Sequence, residues 1–386
     1  MATDFSRLFT PCAIVDRRKL EANVHRMRKR ARSLGVDLRP HVKTSKSADI
    51  AKMATAGFFG GITVSTLAEA DYFGRAGFSD IMYAVGIVPA KLGAVARLID
   101  SGIDLKVILD SRQTAKAVAD WAERHGKRIS ALLEIDSDDH RAGLEADSPE
   151  VLQAAEILSD STGAVFRGVM THAGASYDCT STEQIAGVAD RERDSAVECA
   201  NAIRAAGMPC EIVSVGSTPT ATFAPHLEGV TEVRAGVYVF QDLFQAGLGV
   251  CRPEDIALTV LTTVIGQKRA FNRLITDAGG LALSKDRGTA GQAVDRQYGL
   301  VCDAETGRII DNLVVSGVHQ EHGLVSTIDG SPLPFDSFPV GTQFRILPNH
   351  ACMTAAAHDQ YHLVDGETPK VTGTWPRHNG WAPSQN

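Results

Sequence analysis

One lysine, one arginine, a histidine with a nearby tyrosine, a Gly-Ser-Thr turn and a His-x-Cys pair are the residues of this chain whose types and spacing suit chemistry. In LRPHVKTSKS, residues 38–47, strand alternation puts Arg39, His41 and Lys43 on one face and Leu38, Pro40 and Val42 on the other. Lys43 then ends the strand, and Lys46, past that end, is expected to face solvent or a rim. A lysine at a strand end is most often a surface residue. Held in a desolvated mouth, its amine becomes nucleophilic enough to form a Schiff base. VSVGSTPTAT, residues 213–222, runs a strand into Gly216, Ser217 and Thr218, with Pro219 where a helix begins. Such a turn is either an ordinary capped helix start or a phosphate cradle of backbone N–H groups and hydroxyls. EIDSDDHRAG supplies Arg141, and VMTHAGASY supplies His172 and Tyr177; singly, each reads as a satisfied structural residue. In ILPNHACMT, His350 and Cys352 sit two apart, so an extended backbone points both the same way. Imidazole with thiolate is a borderline-soft pair suited to zinc, and two protein ligands leave coordination positions open. His358 and His362 are alternative ligands that read as surface residues. VHQEHG adds a further polar cluster of His319, Glu321 and His322.

These residues need a scaffold, and the hydrophobic pattern predicts one. Strand-like runs recur at 38–43, 61–65, 80–84, 104–109, 129–135, 165–171, 210–215 and 231–235, and helical patterns lie between them. Leu20, Val24, Met27, Ala31 and Leu34 keep helical spacing until Gly35, and later helices also close on glycine. Eight strands alternating with helices over about 200 residues are the count of a (β/α)8 TIM barrel, an α/β fold. A doubly wound sheet is the rival, but no G-x-G-x-x-G fingerprint supports it. Lys43, Arg141, His172, Tyr177 and the 216–218 turn all follow strands, so the barrel gathers them at its active end. Together they outline a pyridoxal-phosphate pocket. From about residue 255, ALTVLTTVIGQ, NRLITDAG, RIIDNLVVSGV and QFRILPNH read as strands between turns. The predicted domains are a barrel over 17–250 and a β-rich domain over 251–386, with residues 1–16 adding a strand to the latter. The tail TWPRHNGWAPSQN is expected to order only where its two tryptophans dock.

Composition narrows the class. A net charge of −7 argues against nucleic-acid and anionic-membrane partners. The basic run HRMRKRARS reads as the solvated face of a helix. No apolar run approaches the ~18 residues of a membrane span, and the N-terminus lacks a signal-peptide core. Seven cysteines without paired spacing suit a reducing cytoplasm. A cytoplasmic enzyme is the reading by size and texture.

RPHVKTSKS, EIDSDDHRAG, THAGASY, SVGSTPT, EVRAGVYVF, QEHG and LPNHAC follow one another over most of the chain. Together they resemble the fold-type III pyridoxal-phosphate enzymes, built on the alanine racemase plan, and within them the metal-dependent D-serine dehydratase and D-threonine aldolase family. The resemblance implies Lys43 as the Schiff-base lysine, His172 against the cofactor ring and Arg141 near the phenolic oxygen. Gly216, Ser217, Thr218, Gly236, Val237 and Tyr238 would hold the phosphate. Arg234 matches the arginine that alanine racemases aim at the pyridine nitrogen. His350 and Cys352 match the ligands of a divalent metal, zinc or manganese or magnesium. Aldolases of the family carry an aspartate two residues after the histidine, and Cys352 in that place favours dehydration. The implied activity is dehydration of D-3-hydroxyamino acids, such as D-threo-3-hydroxyaspartate or D-serine, to a 2-oxo acid and ammonia. The rivals are a D-threonine aldolase-type C–C lyase, an amino-acid racemase and a non-catalytic pyridoxal-phosphate protein. Active sites of the family lie between subunits, so a homodimer is expected.

Overall fold

The computed structural model describes residues 3–139 and 141–383. The chain divides into two compact units, Met27–Gly236 with Gly380–Asn386, and Met1–Arg26 with Val237–Asn379.

The first unit contains eight parallel strands, Asp37–Leu38, Ile62–Val64, Asp80–Tyr83, Asp104–Leu109, Ile129–Asp136, Ala164–Thr171, Ile212–Val215 and Glu232–Val233. Strands two to eight pair in sequence order, the eighth pairs with the first, and a parallel bridge between His41 and Thr63 closes the ring. This is the (β/α)8 barrel predicted from the eight runs. Apolar side chains such as Val107, Leu133 and Val213 are buried, as strands covered on both faces require. The helix Arg17–Ser33 ends as its pattern predicts, and Gly35 takes φ +71° there.

The first strand is shorter than its alternation suggested. Pro40 has no N–H to donate, and residues 42–45 form a turn. Arg39 N and His41 N still donate to Val233 O and Ala235 O, so the alternation holds as far as His41. Lys43 therefore rides on the turn beyond the strand.

Lys46 corrects the expectation of a solvent-facing side chain. It takes φ +43°, and its Nζ lies 3.1 Å from Oε1 of Glu69, with its side chain 16% exposed. Glu69 is fully buried at the start of the helix Leu67–Arg75, where it also accepts from Ser65 N. The basic run is likewise only partly solvated, because Arg28 donates to Met53 O and Arg30 to Ala221 O.

Charge also runs through the barrel. Arg39, 1% exposed, donates to both carboxylate oxygens of Glu232 at 2.8 and 2.9 Å. Ser214 Oγ donates to Glu232 at 2.6 Å and accepts from Arg234 at 2.7 Å. Arg39 and Lys106 meet at Asp80, and Lys106 also reaches Asp104. Buried charges persist only when paired and hydrogen-bonded, and these are.

The second unit is built on a nine-stranded sheet. Leu258–Lys268 pairs with both Gln343–Leu347 and Arg273–Thr276, which closes six strands into a ring with Leu300–Asp303, Ile309–Val318 and Gly323–Thr327. Val260, Val264, Leu274, Val301, Val315, Phe344 and Ile346 fill its core. Cys12–Asp16 extends the sheet between Leu258–Lys268 and Gln360–Val364. Of the tail's two tryptophans, Trp375 lies in the edge strand Gly373–Pro376 opposite Tyr361, whereas Trp381 is 83% exposed. The last three residues of the tail lie outside the described residues.

Candidate active site

Parallel strands leave their following loops at one end of the barrel, and there the loops bring together Lys43, Arg141, His172, Tyr177, Gly216 and Arg234. His172 follows the sixth strand. Burial, reinforced by the positive charges of Lys43, Arg141 and Arg234, lowers its pKa to about 3 against a contact from Gly216 O. It is therefore a neutral imidazole at ordinary pH. His41 is pushed well below the ordinary histidine range by burial and then by Lys43, Arg234 and His172. These mutual influences place the cationic groups around one spot. Tyr177 sits in the turn Gly174–Tyr177, its ring centroid 6.2 Å from that of His172. Arg141 donates to buried Glu134 at 3.3 Å and is otherwise half-exposed.

The turn after the seventh strand is locked by its own sequence. Ser217 Oγ accepts from Thr220 N while Thr220 Oγ1 accepts from Ser217 N, a reciprocal capping box with Pro219 in the first helical turn. Ser176 Oγ meets Ser217 Oγ at 2.9 Å. Gly216 takes φ +127°, and a Cβ there would lie 2.5 Å from Arg234 O. Gly236 permits another close approach, since its Cβ would fall 2.8 Å from His41 O. Thr218 Oγ1 is buried without a hydrogen-bond partner among the described residues. Such a hydroxyl, at the start of a helix just after a glycine, fits a phosphate oxygen. Val237 and Tyr238, both buried, follow Gly236 in a 3-10 turn. Arg234 is buried, with Ser214 Oγ and Thr171 O as its partners.

A residue missed in the sequence joins this rim. Glu192, inside the helix Thr182–Ala205, accepts from Gly216 N, Ala173 N and Thr171 Oγ1. Its one legible signal was a carboxylate on the helix face that also carries Ile185, Val188, Ala189 and Ala196.

His350 and Cys352 belong to the second unit. The extended-backbone argument for them is corrected: His350 caps the helix Ala351–Ala355, and Cys352 lies inside it. They meet all the same, since Cys352 hydrogen-bonds His350. Burial lowers the pKa of His350, but hydrogen bonds to Asp286 and Cys352 outweigh it and raise the value to about 11. Asp286 Oδ2 stands 2.6 Å from His350 Nδ1. Backing of Nδ1 by a carboxylate is the usual support of a metal-binding histidine, and a divalent cation at Nε2 would take the place of a proton there. The donor pair thus fits an open metal site, although no cluster of three or more possible ligands occurs among the described residues. The two alternatives, expected at the surface, are partly buried. His358 contacts Ala282 O, and His362 is a residue of a paired strand. His319, Glu321 and His322 lie exposed in the turn before Gly323–Thr327.

A barrel with a lysine on its first loop, followed by an antiparallel β unit, is the alanine racemase-like plan. Residues 15–243 match the model of the alanine racemase N-terminal domain, and residues 257–364 match that of a putative serine dehydratase domain. The chain belongs to this family of alanine racemase-type barrels joined to a serine dehydratase domain. It is 47% identical to D-threo-3-hydroxyaspartate dehydratase of Delftia sp. (strain HT23), over 97% of this chain and 98% of that one. D-serine dehydratase of Dictyostelium discoideum is 32% identical over 97% of this chain and 98% of its own. The solved structure of the Delftia enzyme superposes with a TM-score of 0.95 at 46% identity, covering 98% of this chain and all of the other. A D-threo-3-hydroxyaspartate dehydratase has also been solved as a histidine-to-alanine variant and, in the metal-free form, as a cysteine-to-alanine variant two positions further on.

Proposed function

We propose that this chain is a pyridoxal 5′-phosphate- and divalent-metal-dependent lyase that dehydrates D-3-hydroxyamino acids, D-threo-3-hydroxyaspartate first among them. The products would be a 2-oxo acid and ammonia. One observation carries the reading: Lys43, Arg141, His172 and the buried Thr218 hydroxyl gather at one barrel end of a chain 47% identical to such a dehydratase.

Bound there, pyridoxal 5′-phosphate would supply an electron sink for the pair left when a Cα–H bond breaks. Lys43 would tether the cofactor aldehyde and, once displaced by the substrate amine, accept the α-proton at Nζ. Gly216, Ser217, Thr218, Gly236, Val237 and Tyr238 would hold the phosphate. Neutral His172 offers an uncharged face to the ring, because a proton on it would be repelled by three neighbouring cations. Arg141, resting on Glu134, keeps further N–H groups for the phenolic oxygen. Tyr177 packs beside His172. Arg234 faces two acceptors and three acidic neighbours, Glu192, Glu232 and Glu134, which hold its guanidinium in place, and it would be the residue toward the pyridine nitrogen. A divalent cation on His350 and Cys352 would give Lewis-acid help to the departing β-hydroxyl. Zinc suits the imidazole–thiolate pair; manganese and magnesium, which prefer oxygen donors, are the alternatives. The histidine and cysteine variants made in a D-threo-3-hydroxyaspartate dehydratase support the same pair here.

Product analysis on a panel of D-serine, D-threonine and both 3-hydroxyaspartate diastereomers tests the reading. Ammonia and a 2-oxo acid are expected. Glycine with an aldehyde would replace it with an aldolase. A Lys43→Ala variant should lose the visible absorbance of bound cofactor, and full turnover by that variant would overturn the assignment. A homodimer, read as mass in solution, and a cytoplasmic location complete the proposal. None of the seven cysteines forms a disulfide, in keeping with a reducing compartment. No described helix is long and apolar enough to cross a membrane.

A further inference from the structure

The sixth and seventh barrel strands pair only as far as Met170 and Ser214. Beyond that register their continuations, which carry His172 and the 216–218 turn, share no further ladder. Side chains do the joining instead. His172 Nδ1 lies 3.4 Å from Gly216 O, Ser176 Oγ meets Ser217 Oγ, and Glu192 stands behind both segments.

We propose that Glu192 is a positioning residue that holds His172 and the phosphate-facing turn 216–220 in fixed relation. Its carboxylate is 1% exposed. A single oxygen, Oε1, accepts from Gly216 N at 2.8 Å and from Ala173 N and Thr171 Oγ1, both at 3.0 Å. Thr171 and Ala173 flank His172 in sequence. The carboxylate also accepts from Thr220, whose hydroxyl closes the capping box around Ser217. Thus the group reaches both residues beside His172 and both ends of the turn that carries Ser217 and Thr218. Burying a carboxylate is costly unless donors surround it, and a core position that merely needed filling would be served by leucine. Four donors and the nearby Arg234 charge make this carboxylate specific to the rim.

The inference rests on the cofactor reading above, so its test has one arm that does not depend on cofactor. The protein, Glu192→Ala, Glu192→Gln and Thr171→Val are titrated with pyridoxal 5′-phosphate and, separately, with pyridoxal, which lacks the phosphate. Glu192→Ala should weaken pyridoxal 5′-phosphate binding about ten-fold or more and pyridoxal binding about two-fold, because the lost hydrogen bonds orient the turn. Glu192→Gln should recover to within about three-fold, since its amide oxygen can accept from the same donors. Thr171→Val removes one donor without removing the carboxylate. It should shift the ratio the same way by about two- to five-fold, and it serves if Glu192→Ala does not fold. An unchanged ratio in the folded variants overturns the proposal. The cofactor-free arm is amide hydrogen exchange, which should rise about ten-fold at Ala173 and Gly216 in Glu192→Ala or Thr171→Val while strand midpoints stay protected. Absence of any Lys43-dependent absorbance in the unaltered protein would refute the cofactor reading alone, and unchanged exchange would refute the role of Glu192.

Discussion

His172 and Lys46 are two basic residues whose surroundings reverse what their types suggest. His172 is held near pKa 3 by burial and by Lys43, Arg141 and Arg234, against 6.5 for a free imidazole. Its folded value lies below its unfolded one, so the unfolded chain binds more protons as pH falls from about 6.5 to about 3. The contribution of this residue to stability is therefore complete above that window and declines through it. Nitrogen-15 spectra of the histidine side chains at pH 6, assigned with a His172→Gln variant, should show His172 neutral. A titration near 6.5 would contradict the cationic surroundings described for it. Lys46 does the opposite of Lys43: its ammonium neutralises the buried Glu69 carboxylate. Lys46→Met should destabilise the fold by about 1–3 kcal/mol in urea melts, because Glu69 then keeps its burial and loses its cation. Sequence alternation separated the two lysines but could not see Glu69, which lies 23 residues away and reads as the third residue of a helix cap.

The strands and helices of the barrel were legible because their periodicities are local. An apolar run between glycine-closed helices identifies itself, and each predicted run overlaps one observed strand. What stays hidden is any feature that depends on which strands become neighbours. Arg39, Lys106 and Glu232 interrupt apolar patterns in sequence, yet they form one paired network where the first, third, fourth and eighth strands meet. Glu192 was hidden for the same reason, as one of several charges on a helix of 24 residues. In the second unit, closure of the six-strand ring depends on Leu258–Lys268 pairing on both sides, with partners as far as 86 residues away, Val260 opposite Ile346. The same locality limited the reading of His350 and Cys352, whose joining helix and Asp286 support could not be seen from the sequence. Glu232→Ala should cost about 3–5 kcal/mol by leaving Arg39 buried beside a missing partner. Glu232→Gln should cost less, and the urea midpoint should fall without change in m.

At the scale of the whole molecule, the residues proposed for the cofactor ring and those proposed for the metal sit in two compact units drawn from different stretches of chain. The two functions should therefore be separable. Chelation, or His350→Ala, is expected to abolish turnover while leaving the visible absorbance of bound cofactor. Loss of that absorbance together with activity would contradict the separation. The order of the second sheet has another consequence. Its strand Cys12–Asp16 is synthesised first but lies between Leu258–Lys268 and Gln360–Val364. A chain emerging from the ribosome can complete Met27–Gly236 while this apolar segment still lacks both neighbours, and the second, His362 opposite Ile14, arrives only 348 residues later. Until then its open edge can pair with any exposed strand on a neighbouring nascent chain. Expression of this protein should accordingly depend on translation speed and chaperone supply more than the finished strand, paired on both sides, would suggest.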